Sequence, residues 1–368
     1  MTELAPVVFW ACACVCAFAY LGYPASLAVL GAVRRKRVRK DRACRPSVSV
    51  VIAARNEGRR ILARIDDLRA QSYPAELLEV IVVSDGSTDD TVEQARAAQR
   101  GDGAGVHVVD RVLAQGKAAA LAAAAREAQG DVLVFADARQ EFHRDAIAHL
   151  AANFADSEVG AVSGELLFRS SADSVALPMG LYWKYEKWIR KAESRTGSVV
   201  GATGAIYAVR RRLYRGLPEG VLLDDVMTPL QVALEGYRVV FDPDAIAYDT
   251  PSQDVGHEWR RKVRTLAGNW QLLTLEPGLL VPWRNRLWFR LLSHKFSRLL
   301  VPFALPLLLA CSGLAGGPAY RFFFALQIAL YALALAAGWS NRLRRCRIAA
   351  LCHFFVVLNA AALVGFWH

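Results

Sequence analysis

The stretch EVIVVSDGSTDDT, Glu79–Thr91, is a short apolar run that ends in an acid and a turn. Glu79–Asp85 is almost continuously apolar over strand length, which suits a strand buried on both faces of a parallel sheet. Ser87, Thr88 or Asp89 then offers a side-chain oxygen to the first amides of a helix starting near Thr91. That capping does not account for Asp85, which stands at the strand end itself. The pattern recurs along the chain. SVSVVIAAR (47–55), VHVVD (106–110), DVLVFAD (131–137) and VGAVSGEL (159–166) read as strands, with helices over Arg59–Gln71, Thr91–Arg100 and Lys117–Ala128 between them. The alternation predicts an α/β domain built on a doubly wound sheet. In such sheets, ligands bind beyond the carboxyl ends of the strands.

Of 368 residues, 54% are hydrophobic, and Lys and Arg outnumber Asp and Glu by 45 to 34. No residue from Leu4 to Val33 is charged, a stretch longer than the ~20 residues a span needs. The basic run RRKRVRK (Arg34–Lys40) follows it, the reverse of a cleaved signal peptide. Residues 1–33 are therefore expected to be a retained anchor with its C-terminal end in the cytoplasm. Residues 34–46 form a basic juxtamembrane linker whose charge suits anionic lipid headgroups, and with no nucleic-acid motif no nucleic-acid partner is expected. Apolar runs return at 301–316, 322–339 and 348–367, so 300–368 is expected to hold about three more spans. The basic loop 341–347 then falls on the same side as Arg34–Lys40. LYWKYEKWIRKAE (181–193) and VPWRNRLWFRLLSHKF (281–296) mix Trp and Tyr with Lys and Arg, as interfacial helices do. The second defines an amphipathic segment, 276–299, between a soluble domain at 47–275 and the C-terminal spans. No cysteine spacing suggests a zinc site or a disulfide framework.

Candidate functional residues gather at strand ends. The first strand finishes in Ala54-Arg55-Asn56-Glu57, the second in Asp85-Gly86, the fourth in Asp137. Asp85 is placed to hydrogen-bond a nucleobase or ribose. Lys117 opens an Ala-rich helix and is either a solvated lysine or a cation beside a diphosphate. In GATGAIYAVRR (201–211), Thr203 and Gly204 either relieve backbone strain or let a sugar or acceptor approach the backbone. One of Asp224 and Asp225 can cap the helix that follows, but adjacent carboxylates raise each other's pKa, which suits a general base. Arg260, Arg261, Lys262 and Arg264 either face headgroups or close over a departing diphosphate. A dinucleotide fingerprint and a P-loop are both missing: the first strand runs into AARNEG, and Gly116-Lys117 is followed by Ala118.

In order, VSVVIAARNE, VVSDGSTDDT, GKAAAL, VFADA, GATGAIYAVRR, LDDV, EGYRVVFDPDAIAYD and RRKVR resemble a membrane-bound family 2 glycosyltransferase of the cellulose/hyaluronan synthase-like group. The resemblance runs from Ser47 to Trp270. It implies a GT-A fold and inverting, single-displacement transfer from a nucleotide-diphosphate sugar, UDP-sugar ahead of GDP-sugar. Ala54, Asn56, Glu57, Asp85 and Gly86 would hold the nucleotide; apart from the resemblance, Arg139, beside Lys117, is expected to supply part of the positive charge that the diphosphate needs. Asp137 would bind Mg²⁺ or Mn²⁺. Thr203 and Gly204 would line the acceptor pocket, Asp225 beside Asp224 would deprotonate the acceptor hydroxyl, and Arg264 with Arg261 and Lys262 would neutralise the leaving group. Three positions depart from the pattern. Asp137-Ala138-Arg139 stands for acid-x-acid, which weakens the metal site. Arg261–Thr265 stands for Gln-x-x-Arg-Trp, which weighs against processive synthesis. Ala122 stands where an Asn is frequent.

The expected protein is thus an integral protein of a bacterial-type inner or plasma membrane with a cytoplasmic catalytic domain. Its acceptor is a lipid-linked or growing glycan, and membrane lipids surround it. A processive polysaccharide synthase-translocase, or a catalytically silent subunit that binds nucleotide or glycan, are the alternatives. Three C-terminal spans make a narrow conduit, which leaves room for an oligomer or an export partner.

Overall fold

The computed structural model describes residues 3–101, 103–169, 177–250 and 255–367. The chain opens with helix α1 (Leu4–Val33). There follow β1 (Val48–Ala54), α2 (Gly58–Arg69), β2 (Leu78–Asp85), α3 (Thr91–Ala98), β3 (Gly105–Arg111), α4 (Lys117–Glu127) and β4 (Val132–Ala136). Next come β5 (Glu141–Phe142), α5 (Ala146–Ala152), β6 (Val159–Phe168), α6 (Leu177–Thr196), β7 (Ile206–Arg210), α7 (Asp224–Leu234), β8 (Arg238–Asp249) and α8 (Val255–Leu275). Three long helices, α9 (Trp288–Leu314), α10 (Pro318–Trp339) and α11 (Arg347–Trp367), complete it.

The strands form one eight-stranded sheet in the order β3-β2-β1-β4-β7-β6-β8-β5. β1 to β4 are mutually parallel, but β7 enters antiparallel between β4 and β6, and β5 is antiparallel to β8. The sheet is therefore mixed, where the apolar runs alone suggested parallel strands throughout. Continuous apolarity reports burial on both faces and not strand direction, so residues 159–166 read correctly as a strand without revealing β7 beside it.

Two apolar layers sandwich the sheet. On one face Ile61, Ile65, Leu68, Ala95, Ile147 and Leu150 pack onto Val50, Ile52, Val80, Val82 and Val134. On the other, Leu121, Ala124, Met227 and Leu230 meet Val51, Ile81, Leu133, Phe135 and Tyr207. Leu272 of α8 and Leu291, Phe296 and Leu299 of α9 belong to this second layer. The sheet domain and the start of α9 thus share one core, which fixes α7 relative to the long apolar helices.

Four helices, α1 and α9 to α11, are long and apolar enough to cross a membrane. The segment 276–299, expected as a separate amphipathic helix, is instead a tight turn at Pro277–Leu280 followed by the first turns of α9. No helix breaker falls between Trp288 and Pro302, and His294 faces α6, where it meets Glu193 at 2.9 Å and Glu186 at 3.1 Å. The basic linker is held on the domain at two of its charges. Lys36 pairs with Glu158 at 2.7 Å and Lys40 with buried Asp242 at 2.9 Å, while Arg238 donates to the carbonyls of Lys36 and Arg37. These charges dock the linker on the domain.

Phe135 is 2% exposed and stacks on Tyr207 with ring centroids 4.7 Å apart. Truncation to alanine removes a buried aromatic that the sheet cannot refill, so Phe135→Ala should lower stability by about 3–5 kcal/mol. The shift in the denaturation midpoint of the full chain in detergent measures it.

Candidate active site

The strand ends β1, β2 and β4 put their terminal residues along one edge, as the parallel register requires: Ala54 is level with Ser84, and Ile52 with Ala136. Just beyond that edge, Lys117 at the start of α4 reaches between two acids. Its Nζ lies 3.1 Å from Asp137 Oδ1 and 3.3 Å from Asp224 Oδ1. Burial opposes the ammonium charge, but Asp224, Asp137 and Asp225 outweigh it and raise the lysine pKa above its ordinary value. Lys117 is the electrostatic hub of the cleft and not a freely solvated side chain.

Asp224 and Asp225 open α7, where the unpaired helical amides favour negative charge. The two are not equivalent. Asp224 is buried, faces Lys117 and accepts a hydrogen bond from the Tyr207 hydroxyl at 3.2 Å. Among the described residues the Asp225 carboxylate has no hydrogen-bond or ion-pair partner. Burial, followed by the charge of Asp224, pushes its pKa up to about 6, against the pull of Lys117, Lys295 and Arg190. A carboxylate that holds its proton to about pH 6 and is ionised near neutrality has the basicity a general base needs.

The acceptor-pocket candidates lie against it. A Cβ on Gly204 would sit 2.9 Å from Asp225 Oδ2, so the missing side chain is what lets the carboxylate stand there. Thr203 is buried, with its amide donating to Ser163 Oγ and its hydroxyl accepting from Arg190 Nη1 at 2.7 Å.

The nucleotide candidates are braced by their own loops. Asp85, 4% exposed, accepts from the amides of Gln115 at 2.9 Å and Gly116 at 2.7 Å and from Arg111 Nη1 at 3.1 Å. Gly86 has φ of +65°, and a Cβ there would come within 2.7 Å of the Ala114 amide nitrogen, so the loop after β3 closes onto β2 only because this residue is glycine. Asn56 also has positive φ, and its Oδ1 accepts from the Thr88 amide at 2.8 Å; the Glu57 amide donates to Thr91 Oγ1. Of the residues expected to cap α3, Asp89 accepts from the Thr91 amide, whereas Ser87 and Thr88 contact Asn56 instead.

Arg139, which stands where a second metal-binding acid was anticipated, donates to Asp249 Oδ2 at 2.6 Å, and Gln140 shares that oxygen at 3.0 Å. Among the described residues no group of three or more His, Cys, Asp or Glu side chains could hold a metal. The donor set is Asp137 alone beside Lys117. One carboxylate fits a cation that arrives with a diphosphate and takes its remaining ligands from phosphate oxygens and water, the ordinary habit of Mg²⁺.

On α8, Arg261 and Lys262 turn to Glu258 at 3.3 and 3.6 Å. Arg264 is exposed and lines a groove of about 340 Å³ with Leu222, Trp259, Val263, Ala267 and Val364. The groove abuts the Leu222–Leu223 segment that leads into Asp224. The structure thus brings Lys117, Asp137, Asp224, Asp225, Thr203 and Gly204 together, and directs Arg261 and Lys262 elsewhere. Four residues escaped the sequence reading. Asp249 and Arg111 end β8 and β3, where the strand-end signal would have found them. Arg190 and Lys295 sit on helices read for lipid contact.

Residues 49–217 match the family described as Glycosyl transferase family 2. An N-acetylglucosaminyltransferase of Rhizobium meliloti (strain 1021) is 32% identical over 219 residues, covering 55% of this chain and 50% of that protein. A poly-beta-1,6-N-acetyl-D-glucosamine synthase of Staphylococcus aureus (strain COL) is 23% identical over 231 residues, covering 61% and 55%. The chain spans about half the length of these curated relatives. Among solved structures, the mannosyltransferase PcManGT from Pyrobaculum calidifontis, in complex with GDP-Man and Mn²⁺, superposes with a TM-score of 0.73 at 26% identity, covering 98% of this chain and 99% of that one.

The contact between Gly204 and Asp225 is open to a direct check. Gly204→Ala should displace the carboxylate and lower turnover about a hundredfold, measured as nucleotide release. The variant's unfolding midpoint should stay close to that of the wild type.

Proposed function

Since this chain carries a family 2 glycosyltransferase domain, we propose that it transfers a sugar, with inversion, from a nucleotide-diphosphate sugar to a lipid-linked or growing glycan acceptor at the cytoplasmic face of a membrane. The observation that carries the reading is the division of labour within one acidic pair. Asp224 is tied to Lys117 and Tyr207, while Asp225, with no hydrogen-bond or ion-pair partner among the described residues, has a pKa pushed up to about 6.

In the step this arrangement serves, Asp225 takes the proton of the acceptor hydroxyl as that oxygen bonds to the anomeric carbon of the donor. The bond from that carbon to the diphosphate oxygen breaks, and its electron pair leaves with the nucleoside diphosphate. Lys117 faces the charge that develops on the leaving group, with Arg264 held ready on α8. Arg139 keeps one edge of its guanidinium on Asp249 and offers its other N–H groups toward the donor. Asp85 with Gly86, and the Ala54–Glu57 turn, form the nucleotide wall. Asp137 would hold a divalent cation, Mg²⁺ or Mn²⁺, whose chemistry when bound is to neutralise the diphosphate oxygens. The four long apolar helices support a membrane setting for the acceptor. The basic clusters at Arg34–Lys40 and 341–347 support a cytoplasmic site.

UDP-sugars are the first donors to try, because the curated relatives are named for N-acetylglucosamine. GDP-mannose is the second, favoured by the nearly full-length likeness to a mannosyltransferase bound to GDP-Man. Purified full-length protein, given UDP-GlcNAc or GDP-mannose with Mn²⁺ and membrane lipid extract, should release the nucleoside diphosphate of one donor. Asp225→Asn should reduce that transfer by at least about a hundredfold. Release from neither donor, or an unimpaired Asp225→Asn, contradicts the reading.

A further inference from the structure

Glu186, Arg190 and Glu193 are spaced i, i+4, i+7 on one face of α6, where an arginine between two glutamates would ordinarily pair with one of them. Both glutamates are engaged from other helices. Glu186 meets His294 at 3.1 Å and pairs with Arg298, both on α9. Glu193 meets His294 at 2.9 Å and accepts a hydrogen bond from the Tyr23 hydroxyl of α1. Among the described residues Arg190 makes no ion pair with either, although Glu193 Oε2 is buried there without a hydrogen-bond partner. Its guanidinium extends instead to Thr203, donating from Nη1 to Oγ1 at 2.7 Å.

Thr203 belongs to a short segment that is pinned before the chain turns into β7. The Ala202 amide donates to the Asp225 carbonyl at 2.7 Å, and the Thr203 amide to Ser163 Oγ of β6 at 3.0 Å. The Thr203 carbonyl accepts from the Ile206 amide at 2.9 Å, which closes the turn. Thr203 is 6% exposed and Ser163 is fully buried, so a partner lost here leaves a polar atom unsatisfied. The next residue, Gly204, has no space to spare: a Cβ on it would sit 2.9 Å from Asp225 Oδ2. A small shift of residues 202–204 toward α7 therefore bears directly on that carboxylate.

The pins differ in kind. Those to Asp225 and Ser163 come from α7 and the sheet and join neutral groups. The bond from Arg190 is charge-assisted, the stronger class. It also arrives from a helix that α1 and α9 hold in place: besides the contacts of Glu186 and Glu193, the Tyr185 hydroxyl of α6 donates to the Tyr20 carbonyl of α1 at 2.8 Å.

We propose that Arg190 is a positioning residue for the transfer: by clamping Thr203 it holds residues 202–204 against Asp225 and fixes where that carboxylate points. The inference rests on the reading of Asp225 as the base. It adds a residue that acts through Thr203 rather than on the reacting atoms, and that ties the wall beside the base to the helix docked on α1 and α9. Glu186 and Glu193 take part by being engaged elsewhere, which lets the arginine reach Thr203.

The test is nucleotide release by the full chain in detergent, from UDP-GlcNAc or GDP-mannose, whichever the wild type uses, with Mn²⁺ and membrane lipid extract. Arg190→Gln should lower kcat about tenfold to a hundredfold with the donor KM unchanged. Thr203→Val, which keeps the shape of the side chain but removes the accepting oxygen, should match that loss, and Thr203→Ser should recover most of it. The double variant Arg190→Gln/Thr203→Val should lose no more than either single one, because both break the same bond. Losses that multiply in the double variant overturn the proposal, and so does a Thr203→Val that turns over like the wild type. The Thr203 pair decides the matter even where Arg190→Gln does not fold. A loss in Arg190→Gln that excess lipid extract restores also overturns it, since that marks direct contact with the acceptor. No release by the wild type from either donor contradicts the transferase reading itself, before any variant is compared.

Discussion

One ammonium group organises the cleft. Lys117 Nζ lies within 3.3 Å of both Asp137 and Asp224, residues that arrive from the end of a central strand and the start of a helix far along the chain. Without a cation there, three carboxylates would meet at one sheet edge, and their mutual repulsion would oppose the approach of α7 to β4. With it, Asp137 and Asp224 each gain an ion-pair partner, and among the described residues Asp225 is left as the member without one. A diphosphate entering the site meets the same ammonium, so the group that assembles the apo cleft is also the first cation a donor encounters.

The support beneath that arrangement is apolar. Tyr207 and Phe135 stack under the site, and the tyrosine hydroxyl reaches Asp224 from within the core. The same layer continues into Leu291, Phe296 and Leu299 of α9. The distance between the acidic pair and the apolar helices is therefore set by close packing, which tolerates little adjustment.

Much of this was legible in the sequence because the signals were local. Apolar runs of strand length announced β1 to β4 and β6, and an acid at the carboxyl end of a strand marked Asp85 and Asp137. The long uncharged stretches announced α1, α10 and α11. What stayed hidden depends on pairing across sequence distance. Nothing in GKAAAL says that Lys117 meets Asp224, and nothing in FADAR says that Arg139 meets Asp249. β7 was hidden as a sheet neighbour for the same reason. His294 read as lipid-facing because its carboxylate partners, Glu186 and Glu193, lie on another helix.

The central claim is that Asp225 is the base, raised by burial and Asp224 and restrained by Lys117, and the pH dependence of kcat/KM reaches it directly. That profile reports the base of the free enzyme. In the wild type, activity should fall as the pH drops through about 6, where Asp225 takes up its proton. Lys117→Met removes a cation that holds this pKa down, so its acidic limb should move to higher pH in addition to any loss of rate. A limb that stays in place, or moves to lower pH, would contradict the account.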